Sequence, residues 1–240
     1  MNNSSKICFC ILAAGMGSRL KTLTRDSSKW LTPINQKFLI EHYFDIFSDF
    51  PDASIVVVCG HAEYRLKNYI KEAFPAFSVD YIANAQYQST NNIYSLALAL
   101  PEISKYDQVY VLECDIYLDK QAAKDFILTD ADCSALVSPL QYWMDGTCVT
   151  LTEHNSVKAF IPACDRLSTT ETLYKTVNWY KFSGHYIRRY LTPYITAYIE
   201  AHGKTAYYED VIRILNLSAK NTIKAHIIPV SKWFEIDDQY

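Results

Sequence analysis

Four residues of this chain have the types and placements needed to work on a polyphosphate: Arg19, Lys29, Asp115 and Asp237. Arg19 ends the small-residue segment Leu12-Ala13-Ala14-Gly15-Met16-Gly17-Ser18-Arg19, and Lys29 follows it ten residues later. Gly15 and Gly17 carry no Cβ, so backbone N–H groups of such a loop can close on phosphate oxygens. Arg19 and Lys29 add positive charge where negative charge builds up in a transfer reaction. Asp115 and Asp237 are the candidate ligands of Mg2+, a hard cation that takes one or two carboxylates plus phosphate and water. Taken singly, Asp115 also reads as a strand-end cap and Asp237-Asp238 as a solvated turn. Taken with the glycine loop, they read as a site for nucleotidyl transfer. In that chemistry an anionic acceptor oxygen attacks an α-phosphorus in line and pyrophosphate leaves. The acceptor is already ionised at neutral pH, so no side-chain nucleophile is needed.

Two other phosphate loops are excluded by residue type. A dinucleotide fingerprint needs a third small residue where this chain has Leu20. A Walker A loop needs Gly-Lys-Ser/Thr, and here Gly17 is followed by Ser18-Arg19.

The elements that must position these residues alternate. Apolar runs over 7–12, 53–59, 77–83 and 108–113 read as strands, the first two of the buried parallel kind. Helical spacing falls at 38–47, between Pro33 and Pro51, and at 61–74. A third helix, 93–100, has Asn91-Asn92 as its cap and Pro101 as its stop. Such alternation predicts an α/β fold, a Rossmann-like, mostly parallel mixed sheet with helices on both faces. Ligands then sit at the carboxyl ends of the strands, where Gly15, Gly17 and Asp115 fall. The second half reads as strands at 134–137, 147–151, 157–161 and 174–182, helices at 186–201 and 207–217, and a last strand at 225–230. With no linker or repeat, one domain over 1–240 is expected, with a nucleotide-binding half (1–118) and an acceptor-binding half (119–240).

Composition narrows the class. The chain has 240 residues, half of them hydrophobic and a fifth charged, which is enough for a full core. A net charge of −3 without Lys/Arg runs argues against a nucleic-acid partner. Seven cysteines, an odd number without metal-ligand spacing, fit a reducing compartment. Cys8 and Cys10 share one face of the first strand and read as core. The apolar start is too short for a membrane span and lacks a cleavage pattern, so a cytoplasmic location is expected. Tyrosine is abundant, with 19 residues, so some are expected to line a pocket.

The segment 11–40, with LAAGMGSRL, Lys29 and INQKFLIEH, resembles the phosphocholine and phosphonate cytidylyltransferases of the nucleotidyltransferase family. Asn91-Asn92-Ile93-Tyr94-Ser95-Leu96, Leu112-Glu113-Cys114-Asp115 and the stretch YKTVNWYKFS at 174–183 extend the likeness. Together with Tyr207-Tyr208-Glu209-Asp210-Val211 and WFEIDD, they are most like modules that activate 2-aminoethylphosphonate. The resemblance spans nearly the whole chain and is weakest over 139–168. It implies the GT-A-like nucleotidyltransferase fold, CTP as donor and Mg2+ on Asp115 and Asp237. It also places Arg19 and Lys29 on the phosphates and Asn91, Tyr94 and Ser95 near the cytosine and ribose. Asn84, after a strand, is a candidate for the base or a turn former.

Acceptor residues are read from side-chain chemistry. Lys175 is a candidate for the acceptor anion, though strand lysines often face solvent, and Asn178 lies in the same stretch. Tyr142, Trp143, Trp179 and Tyr180 could wall in an aminoalkyl cation or pack in the core. Asp145 and Glu209 could pair with a primary amine, whereas a quaternary ammonium would prefer aromatic rings. Sugar-nucleotide relatives carry Glu-Lys-Pro before the acceptor strand. Here the stretch reads Ala159-Phe160-Ile161-Pro162-Ala163-Cys164, which argues against a sugar phosphate. The expected reaction is CMP transfer from CTP to a small phosphonate, above all 2-aminoethylphosphonate. Phosphocholine as acceptor, a nucleoside-diphosphate-sugar synthase and a binding-only regulatory subunit are the alternatives. Relatives continue past WFEIDD into a helix or a fused aminotransferase, so an excised domain is expected, with an aminotransferase or a second copy as possible protein partners.

Overall fold

The computed structural model describes residues 5–17, 20, 26–218 and 222–236. Its centre is β1 (Ile7–Ala13), whose residues are almost all buried. Further strands of the first half are β2 (Pro33–Ile34) and β3 (Lys37–Phe38), which form a hairpin, then β4 (Ser54–Cys59), β5 (Val79–Ala83), β6 (Gln108–Glu113) and β7 (Ile116–Leu118). Helices α1 (Leu39–Phe47), α2 (Glu63–Ala73) and α3 (Asn92–Ile103) come between them, and α4 (Lys120–Ile127) follows. The second half holds β8 (Cys133–Pro139), β9 (Cys148–Leu151), β10 (Val157–Ile161), β11 (Tyr174–Ser183), β12 (Lys224–Ile227) and β13 (Trp233–Glu235). Its helices are α5 (Gly184–Tyr186), α6 (Thr192–His202) and α7 (Tyr208–Leu217).

β1 pairs in parallel with β4 on one side and with β6 on the other, and β4 pairs in parallel with β5. β11 then runs antiparallel to β6 and carries β8 and β9, so one mixed sheet continues through both halves. This is the expected α/β architecture. Alternation along β1 divides the core. Cys8, Cys10 and Leu12 pack with α3, α6 and α7, and Phe9, Ile11 and Ala13 pack with α1, α2 and α4. Each large apolar side chain so buried contributes about 1.5–3 kcal/mol. Both Cys8 and Cys10 are core thiols, their pKa values pushed up first by burial.

Three expected elements differ in detail. Pro101 does not stop α3, which runs on to Ile103. The proline sits in the last turn, where it has no N–H to give the preceding turn, and Ser104 N–H closes the helix beyond it on Leu100 O at 3.0 Å. The helix expected over 186–201 runs unbroken from Gly184 to His202, with a π turn at Ile187–Leu191 between α5 and α6. Pro193 has no N–H to give, and the wider turn, with Thr192 N–H on Ile187 O, carries the chain past it. The strand expected over 225–230 ends at Ile227 and gives way to a 3-10 turn at Val230–Lys232. No described helix is long and apolar enough to cross a membrane.

Candidate active site

The carboxyl ends of β1 and β6 open into a cleft of about 540 Å3. Leu12, Ala14, Gly15 and Gly17 border it from β1 and the loop after it, and Glu113, Cys114 and Asp115 from the end of β6 and the turn that follows. A Cβ built at Gly15 would meet nothing within 4 Å, so this rim of the loop is open to a ligand. Ala14 O accepts His61 N–H at 3.1 Å, which ties the loop to the end of β4. Ala13 is buried in the opposite core layer and does not border the cleft.

Lys29 stands on a short 3-10 turn, Lys29–Leu31, anchored by fully buried Trp30. Its Nζ lies 2.8 Å from Asp115 Oδ2, with the two side chains 11% and 17% exposed. The chain therefore brings together two of the four residues singled out for phosphate chemistry, 86 positions apart. Arg19 and Asp237 lie outside the described residues. The chain does return to Asp115 just before Asp237: β13 pairs with β7, and Ile236 N–H donates to Asp115 O at 2.8 Å.

A half-buried carboxyl that the sequence pattern gave no role stands beside this pair. Glu113 Oε1 accepts from Asn92 Nδ2 at 3.0 Å, and Asn92 Oδ1 accepts Tyr208 N–H at 3.1 Å. Burial first, and the neighbouring Asp115 charge next, push the Glu113 pKa up to about 8. The signal was in the spacing, because Glu113 stands two residues before Asp115 on an alternating strand end. Glu235, also at the cleft, stands likewise two residues before Asp237.

The raised Glu113 pKa has a stability consequence. Between about pH 4.5 and 8 the folded chain holds a proton that the unfolded chain has released, so stability falls as pH rises. His42 and His226, with pKa values lowered chiefly by burial, act in the opposite sense, but only below about 6.5. In thermal melts without divalent metal, Glu113→Gln is expected to flatten the fall in Tm between pH 6.5 and 8. An unchanged slope would remove Glu113 as its source.

The donors for a divalent cation are carboxylate oxygens, as a hard ion requires. Among the described residues no group of three or more ligating side chains forms a self-sufficient metal centre. Asp115, a carboxylate at the cleft, is of the donor type that part-protein, part-phosphate coordination of Mg2+ would use. Burial, and next the charges of Asp115 and Glu113, push the Cys114 thiol well up.

The other expected residues divide. Asn84 and Ser95 line the cleft, and Asn84 Nδ2 donates to Ser95 Oγ and Thr90 Oγ1, both at 3.1 Å. Asn91 lines it too and caps α3 through its Oδ1 and Asn92 N–H at 2.8 Å. Tyr94 is not at the cleft, and its ring carries Lys204 Nζ 4.2 Å from the centroid. Asp145, Lys175, Asn178 and Glu209 all reach the cleft. Lys175 is buried rather than solvent-facing, its Nζ donating to Thr176 O at 2.6 Å and standing 3.9 Å from Glu235.

No aromatic wall forms from the four candidates. Trp179 is buried in the layer of α1, its Nε1 donating to Tyr43 Oη at 3.4 Å. Tyr180 faces the other layer, its hydroxyl donating to Glu209 Oε1. Adjacent strand residues must point to opposite faces, so they cannot share one wall. Tyr142 and Trp143 are exposed on a loop.

The family described as MobA-like NTP transferase domain matches residues 9–176. A choline-phosphate cytidylyltransferase of Streptococcus pneumoniae is 34% identical over 110 residues, 46% of this chain and 45% of that protein. A CMP-5'-(3-aminopropyl)phosphonate synthase of Streptomyces rubellomurinus is 23% identical over 235 residues, 95% of this chain and 36% of that protein. The matched region is thus less than half the length of either relative. Among solved structures, the CTP:phosphocholine cytidylyltransferase of Streptococcus pneumoniae shares the fold, with a TM-score of 0.79 at 21% identity over 97% of this chain and 94% of that one.

Proposed function

The chain belongs to the MobA-like NTP transferase domain family of nucleotidyltransferases, and from that premise we propose that it transfers CMP from CTP to a small aminoalkylphosphonate, 2-aminoethylphosphonate above all, releasing pyrophosphate. The observation that carries this reading is the acceptor end of the cleft. Asp145 and Glu209 line it, whereas Tyr142, Trp143, Trp179 and Tyr180 do not, and the aromatic residues that do are Tyr87, Phe160, Tyr207 and Tyr208. A primary ammonium can donate hydrogen bonds to carboxylates, and a quaternary one has none to give. The relative aligned along 95% of the chain is a phosphonate synthase by name.

In this reading the chain splits its work at about residue 118. The Gly15–Gly17 loop, Lys29 and Arg19 hold the triphosphate, while Asn84, Asn91 and Ser95 hold base and ribose. Asp115 and Asp237 would hold Mg2+, which supplies charge neutralisation to the phosphates when bound. A phosphonate oxygen, held by Lys175 and Asn178, forms the new bond to the α-phosphorus. The bond to the bridging oxygen breaks opposite it, and its electron pair leaves with pyrophosphate. Lys29, pre-set by Asp115, meets charge that grows in this step.

The test is pyrophosphate release with CTP and Mg2+, run with 2-aminoethylphosphonate and with phosphocholine. A kcat/KM at least tenfold higher for the phosphonate is expected. The second reading, phosphocholine as acceptor, is favoured by the 34% identical relative, and a reversed preference would establish it. Release with neither acceptor would remove both.

A further inference from the structure

Arg166 carries a charge that the transfer chemistry leaves unused. It stands on a short 3-10 turn, Ala163–Ser168, just past β10, in the stretch with the weakest family resemblance. Its Nη1 donates to Met144 O at 2.7 Å, and its Nη2 donates to Gly146 O. These carbonyls flank Asp145, so one planar guanidinium brackets a residue that lines the cleft. Among the described residues Arg166 forms no ion pair, and both of these donors are spent on backbone.

The same loop is held from its other side by β11. Thr147 O accepts both Thr176 N–H at 3.1 Å and Thr176 Oγ1 at 3.0 Å. Gly146 leaves room for Lys175, since a Cβ there would stand 3.2 Å from Lys175 Nζ. Apolar burial does little for this loop: Tyr142 is 95% and Trp143 59% exposed, and Met144 alone packs on the core. Hydrogen bonds, with Arg166 supplying two, must therefore do the ordering.

We propose that Arg166 is a positioning residue that holds Asp145 at the cleft and so sets affinity for the acceptor without touching it. The inference rests on the reading of Asp145 as a partner of the acceptor's ammonium group. It places specificity in a residue that does not line the cleft. An ordered carboxylate binds a cation without first paying to order its loop.

Two variants, Arg166→Gln and Arg166→Lys, and two readouts test it. The first readout is hydrogen–deuterium exchange of the free protein. In Arg166→Gln, amides over 141–147 are expected to exchange at least tenfold faster while β1 and β6 keep their protection. Unchanged exchange over 141–147 would overturn the clamp whether or not any acceptor reacts. The second readout is steady-state kinetics, with the wild type run first on CTP and 2-aminoethylphosphonate. No wild-type turnover would overturn the acceptor reading and, with it, the assigned effect on affinity, and the exchange data would still decide the clamp. With turnover, acceptor KM is expected to rise at least tenfold in Arg166→Gln and CTP KM to stay within twofold. Arg166→Lys, able to hold one carbonyl, should recover part of the loss. Added to Asp145→Asn, Arg166→Gln should raise acceptor KM little further, because it acts through that residue. Equal rises in both KM values, or additive effects of the two substitutions, would overturn the proposal.

Discussion

Lys29→Ala is expected to lower turnover with CTP by at least about a hundredfold, and Asp115→Asn by a similar factor, the scale of losing one preorganised electrostatic group. The two side chains meet at 2.8 Å in a largely enclosed position, so each fixes the other before substrate arrives. Alanine at position 29 removes a cation from the place where the leaving pyrophosphate gains charge. It also leaves Asp115 beside Glu113 without its counter-charge, which raises the cost of bringing in a triphosphate. Asparagine at position 115 keeps the shape and removes the anion. Steady-state pyrophosphate release measures both, with thermal melts to separate lost catalysis from lost folding. Activity within a few-fold of wild type in both variants, at unchanged Tm, would remove these roles.

Gly60→Ala is expected to destabilise the fold by about 1–3 kcal/mol, the usual range for overpacking, and to raise CTP KM at least tenfold. A Cβ at Gly60 would lie 2.7 Å from Ala14 O and 2.7 Å from Tyr87 Cβ. Neither neighbour is the free end of a flexible side chain, so backbone must move. The backbone nearest to hand is Ala14, the residue that leads into Gly15 and the open rim of the cleft. Gly184→Ala is the control. A Cβ there would come within 2.0 Å of Tyr106 O, away from the cleft-lining residues. It should therefore lower Tm and leave the CTP KM of the folded protein unchanged. Urea titrations and initial rates decide the matter. A Gly60→Ala protein with wild-type stability and CTP KM would show that the loop does not depend on this contact.

Local pattern determined a good deal about this protein. A strand buried on both faces, a small-residue loop at its end and a carboxylate at the end of a second apolar run were all readable from residue type and spacing. The spacing rules act within a few residues, which is why the strands and most helices fell where expected. They also showed that Asp115 would sit at a strand end, and they contained the unread signal of Glu113 two positions earlier. Tertiary structure alone decided the rest. Lys29 finds Asp115 because β1 and β6 are neighbours, and β13 returns the chain to Asp115 by pairing with β7. In β11 the register shifts between Thr176 and Tyr180, with Asn178 at φ +56°, and Trp179 and Tyr180 go to opposite core layers. Arg166 reaches back 20 residues to bracket Asp145. Strand order, register and a loop clamp depend on which surfaces the whole core buries together, and no window of sequence contains that sum.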